Sequence, residues 1–189
     1  VAHAISTHRV EREFDYFTAV DDKGDEDESG AGMIGQLEFN SGTLYRYAVL
    51  DLNKLYSNLQ KDRELLLSAV EAFSRAVALA IPSGKQNSFA AHNLPEFIGV
   101  CLRHSAPLNL ANAFEKPILA RADQALTAQS VECLASYESK VAGVYASPQD
   151  QWLGLDLTGR WPAEKGESVA SLAALAQRVR DLAADKLEF

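Results

Sequence analysis

The apolar residues Leu66, Val70, Phe73, Val77 and Ile81 recur at steps of four, three, four and four, which makes one helical stripe. Asp62 supplies an N-cap ahead of that stripe, and Pro82, Ser83 and Gly84 stop it, so the spacing predicts a helix from 62 to about 80. A second helix is predicted over about 123–144 through Leu126, Val131, Leu134, Tyr137 and Val141. A third runs from Ser168 to about Lys186 through Val169, Leu172, Leu175, Val179 and Leu182. Short β-rich runs fall at Ala4–Thr7, Phe14–Val20, Leu44–Leu52, Phe97–Leu102 and Trp152–Leu157. Asn53–Lys61 is a connector with a short helical or turn character, and Asn109–Ala120 is a loop with one helical turn, limited by Pro117. Leu44–Leu52, the first long helix and Phe97–Leu102 suggest a strand–helix–strand crossover. The class is α+β, with helices packed on one sheet.

One stretch breaks the pattern. Asp21, Asp22, Asp25, Glu26, Asp27 and Glu28 lie within eight positions, and Gly30, Gly32 and Gly35 follow. Like charges keep such a run solvated, and glycine loses the most entropy on ordering, so this run is expected to protrude as a loop. Loops held out by a rigid scaffold often carry function.

Charge changes the picture only after this run is set aside. The chain of 189 residues has 18 Lys plus Arg and 26 Asp plus Glu, a formal net charge of −8. That balance alone argues against a nucleic-acid binder. Without the six clustered acids the remainder is about −2, so local basic patches fit. The length suits one domain over 1–189, and 47% apolar content is ordinary for a globular protein. No apolar run approaches a membrane span, and Cys101 and Cys133 have neither metal nor disulfide-framework spacing. Both points lead to the expectation of a cytoplasmic home. Val1 opens the chain inside an apolar pattern, as expected for a portion of something longer.

Several motifs imitate known sites. Gly30-Ala31-Gly32-Met33-Ile34-Gly35 matches a dinucleotide fingerprint, yet acids precede it and a strand follows, the reverse of what pyrophosphate binding needs. Asp25–Gly30 resembles half of a calcium loop, but Gln36 occupies the position that needs a bidentate carboxylate. Ser83-Gly84-Lys85-Gln86-Asn87-Ser88 lacks the first Gly of the Walker pattern, because position 79 is Leu. Its glycine, cation, amides and hydroxyls are nonetheless the parts that hold a nucleic-acid backbone; the plain alternative is a solvated turn. His3, His8, His92 and His104 have no metal spacing, and no catalytic constellation or cofactor motif can be assembled.

Four segments together resemble a known family: 1–8 running into 14–22, then 30–48, 81–93 and 107–117. In order and spacing they resemble the C-terminal portion of the backbone (crRNA-binding) subunit of the type I-E CRISPR Cascade complex. The resemblance implies an RRM-like (ferredoxin-like) palm, partial here, with a protruding thumb at 21–39 and C-terminal helices. It implies a non-catalytic subunit that polymerises along crRNA with copies of itself and other Cascade subunits, shaping pairing with target DNA. Gly84, Lys85, Gln86 and Ser88 would touch the RNA backbone. Gly30, Gly32, Met33, Ile34 and Gly35 would form the slim thumb, with Met33 suited to wedging between bases. Asn112 and Phe114 fall in a characteristic segment to which no role is assigned, and no cofactor or metal is implied. Two other classes stay open: a metal-dependent ribonuclease using Asp25 or Asp27, and an acidic module that docks a basic protein.

Overall fold

The computed structural model describes residues 1–20 and 31–186, with side chains described outside 18–20 and 31–34. Its central sheet consists of β5 (Phe97–Leu102), β6 (Gln151–Asp156) and β7 (Glu167–Ser168), in that order. β5 and β6 are antiparallel, and β6 and β7 run parallel. Strict alternation sends Ile98, Val100 and Leu102, with Leu153 and Leu155, to one face. Phe97, Gly99 and Cys101, with Trp152 and Gly154, point to the other.

Each face has its own helical cover. Leu66, Leu67 and Val70 of α2 (Arg63–Leu79) and Leu175, Val179, Leu182 and Ala183 of α5 (Leu172–Lys186) pack on the first face. Leu66, Leu153 and Leu175 are at most 2% exposed, and each such burial contributes roughly 1.5–3 kcal/mol. Leu134 of α4 (Leu126–Tyr145) meets Leu110 and Phe114 on the second face. The expected α+β class holds, but the strands form three separate sheets rather than one, and helices cover both faces of the three-stranded sheet.

Two expectations change. Of Leu44–Leu52 only Leu44–Tyr45 is a strand, β4, pairing β1 (Ile5–Ser6) in a separate small sheet. Asp51 instead caps α1 (Leu52–Asn58), accepting from the Lys54 amide at 2.9 Å, so cap chemistry overrides β propensity. β4 therefore forms no crossover unit with β5, whose partner is β6. Trp152–Leu157, Phe97–Leu102 and the three long helices stand within a few residues of their predicted spans. Asn109–Ala120 holds one 3₁₀ turn, Ala111–Phe114.

Candidate nucleic-acid interface

The arm comes first. β2 (Arg12–Val20) and β3 (Ala31–Asn40) form a two-stranded antiparallel ribbon of their own. Residues 31–39, expected as part of the thumb loop, are thus strand up to Phe39. β-rich Arg12–Val20 offers a template on which even a glycine-rich partner completes its backbone hydrogen bonds. The register shifts between Ala19 and Val20, which leaves Gly32 as the extra residue of a bulge. Gly35 faces Phe17 across the ribbon, and a Cβ there would collide with the outer end of the Phe17 ring, at Cζ. Glycine leaves room for the end of that aromatic ring against the partner strand. The acidic run and Gly30 lie outside the described residues, as do the side chains of Met33 and Ile34.

The described part of the ribbon displays aromatic surface on both sides. Phe14 and Tyr16 point one way and are 47% and 67% exposed; Phe17 points the other and is 49% exposed. Arg12 and Glu38 pair at 3.1 Å on the first side, an exposed contact of small energetic weight. A lone two-stranded ribbon is marginal in water, so its root matters. There the Phe39 ring meets Phe89 with centroids 5.2 Å apart.

Phe89 ends α3 (Gln86–Phe89), a four-residue helix that overlaps the Gly84–Ser88 turn. Both flanks of α3 are left-handed, with Lys85 at φ 54° and Ala90 at φ 46°. Such positions cost non-glycine residues free energy, and they recur where a loop is held for a purpose. The Lys85 carbonyl accepts from the amides of Ser88 and Phe89, both at 3.0 Å, which closes the turn. Lys85 Nζ lies 5.9 Å from the Phe89 ring centroid, a cation–π contact. Gly84, Lys85 and Ser88 are exposed and Gln86 is half-buried. A Cβ on Gly84 would meet nothing within 4 Å, so neither packing nor backbone conformation demands glycine there.

The turn and the arm, separate in sequence, are therefore joined through Lys85, Phe89 and Phe39. The sequence flagged the turn and the arm but missed both phenylalanines that couple them. It also passed over Arg46, whose Nη1 donates to the Ala80 carbonyl at 2.8 Å, at the point where α2 gives way to the turn. The remaining flagged residues fall elsewhere. Phe114 is buried against Tyr45, with ring centroids 5.5 Å apart, and is core. Asn112 is exposed on the same 3₁₀ turn. Tyr45 donates to Asn109 Oδ1 and accepts from the Leu110 amide; burial pushes its hydroxyl up to about 12.

Both cysteines are free, and burial pushes the Cys101 thiol to about 12 and raises that of Cys133. Neither is a reactive thiolate at neutral pH. His8 is structural: Nε2 accepts from the Thr43 amide at 3.1 Å while Nδ1 contacts the Arg9 carbonyl at 2.8 Å. Among the described residues no three His, Cys, Asp or Glu side chains are grouped to hold a metal, and no helix is long and apolar enough to cross a membrane.

The fold and interface define a class: an α+β body bearing a two-stranded arm, with a cationic turn at the arm's root. The chain belongs to the family described as CT1975-like protein, whose model matches residues 1–180. Two solved structures are similar, each at 32% identity with a TM-score of 0.85 over 96% of this chain. Their titles are "CRISPR RNA-guided surveillance complex" and "CRISPR RNA-guided surveillance complex, pre-nicking". The chain spans 69% of the first and 54% of the second. No curated protein matches it.

Proposed function

We propose that this protein is a crRNA-binding subunit of a CRISPR surveillance complex, and that residues 84–88 hold the RNA backbone at the root of the arm. The observation that carries the reading is the Lys85–Phe89–Phe39 joint, which sets a cation, open amide and hydroxyl groups and an aromatic-bearing ribbon side by side. A sequence-independent grip needs cations and polar groups on the phosphates, while the guide's own pairing reads the target. Family membership and the two solved complexes support the same setting. In this reading the chain is the C-terminal portion of a type I-E-like backbone subunit with an RRM-like palm. Copies line up along the guide, and each arm, reaching the nucleic acid through Gly30, Gly32, Met33, Ile34 and Gly35, interrupts the guide–target DNA duplex. The subunit is non-catalytic, works in the cytoplasm and delegates cleavage to partners.

Fluorescence anisotropy with guide RNA, scrambled RNA and single-stranded DNA over a salt series tests this. Lys85→Ala should weaken RNA binding equally for all RNA sequences and make the salt dependence shallower by about 0.7 in the log–log slope. Gly84→Ala meets nothing inside the protein, so weaker binding with an unchanged melting temperature would mark close approach of the ligand. Unaltered affinity and slope in both variants would remove the turn from the interface. Metal-dependent RNA cleavage lost in Asp25→Asn or Asp27→Asn would overturn the non-catalytic assignment.

A further inference from the structure

Resting on that reading, we infer that Arg46 is a second cation of the RNA-backbone site, anchored at the entry of the turn by the Ala80 carbonyl. The arginine sits one residue beyond β4 and its side chain is exposed. Nη1 spends one N–H on the Ala80 oxygen at 2.8 Å. A guanidinium carries five N–H donors in a rigid fork, so four remain for a ligand. Among the described residues Arg75, Arg103, Arg160, Arg178 and Arg180 are all paired with carboxylates. Arg46, like Arg9, Arg63 and Arg121, has no carboxylate within ion-pair distance among them. Its charge is left for a partner outside the described body.

Placement gives that charge a use. Ala80 follows the last residue of α2, and Lys85 lies five residues further on, within a chain reach of about 17 Å. The two cations thus stand at either end of the segment that leads into the turn, suited to phosphates of one strand. The anchor pre-positions the fork, so less side-chain entropy is lost when phosphate arrives. Arginine also offers planar, two-point contact to phosphate that lysine cannot match. The competing role is a helix cap, since the C-terminal carbonyls of α2 attract a cation without any RNA.

Salt dependence separates the two. In the intact protein, Arg46→Gln, Lys85→Gln and the double variant are titrated with unstructured single-stranded RNA at several salt concentrations, alongside thermal melts. We expect each single variant to reduce the log–log salt slope by about 0.7 and the double by about twice that. Arg46→Lys should keep the slope, with weaker binding than the native protein, and serves if Arg46→Gln does not fold. A lowered melting temperature for Arg46→Gln with the slope of the native protein would make Arg46 a cap only and overturn the inference. If Lys85→Gln moves the slope and Arg46→Gln does not, the inference alone fails; if neither does, the reading beneath it fails as well.

Discussion

Asp156 shows how much one carboxylate can arrange. It accepts from the amides of Thr158, Arg160 and Trp161, each at 2.8 Å, and from the Thr158 hydroxyl at 2.6 Å. That fan of donors folds the chain back after β6 and lays the Trp161 ring over Gly154, whose Cβ position lies 3.3 Å from Trp161 Cδ1. Gly99 is the cross-strand partner of Gly154, so two small residues open the space in which Trp161 meets Phe97 and Trp152. Lys165 covers the ring and pairs with the buried Glu138. Asp156→Ala leaves three amides without their acceptor at a cost of about 1–3 kcal/mol. At roughly 2–4 °C per kcal/mol for a domain of this size, thermal unfolding followed by circular dichroism should show the drop. An unchanged midpoint would mean that water replaces the carboxylate without penalty.

At the scale of elements, legibility tracked local chemistry. Asp62 accepts from the Leu65 amide at 2.9 Å, the cap that the sequence announced, and α2 begins at Arg63 as expected. Removing it as Asp62→Ala should cost about 1 kcal/mol, visible as a lower midpoint in urea with an unchanged m-value. A shift in the m-value instead would point to loss of two-state unfolding. β3 was hidden because its glycines carry no strand signal of their own; only pairing with β2 makes them extended. α3 was hidden for a related reason, since four residues bounded by left-handed Lys85 and Ala90 leave no periodicity to detect. The chemistry of Gly84, Lys85, Gln86 and Ser88 was readable, but the ring contact between Phe39 and Phe89 joins positions fifty residues apart. No local pattern encodes such a contact.

Over the whole molecule, acid should act through carboxylates that the fold holds ionised. Burial opposes ionisation of Asp150, yet the amides of Ser147 and His104, with Arg103 and Lys186, outweigh it and keep the carboxyl below its usual range. Asp156 is likewise held low, burial being outweighed by Thr158, Trp161 and Arg160. A folded-state pKa below the unfolded value means that the unfolded chain binds protons first as pH falls. Stability from these groups is therefore full above the ordinary carboxylate range near pH 4 and is lost as pH drops through their lower folded values. Melting temperatures should hold from pH 7 to about 5 and fall steeply below about 4. Asp150→Asn, which strands Arg103 from its partner at 3.1 Å, should lower the neutral-pH value and flatten that fall. A melting temperature constant down to pH 3 would contradict this assignment.

The seat of Trp161 has one more consequence. The protein has two tryptophans, and both belong to this aromatic cluster, with rings 5.3 Å apart. Its tryptophan emission therefore watches the sheet and its α4-side cover, while the arm and the turn carry, as aromatics, only Tyr16 and phenylalanines, which emit at shorter wavelength than tryptophan. Filling the interface with RNA should leave the emission maximum in place, and a spectral shift on binding would report that the body itself had rearranged.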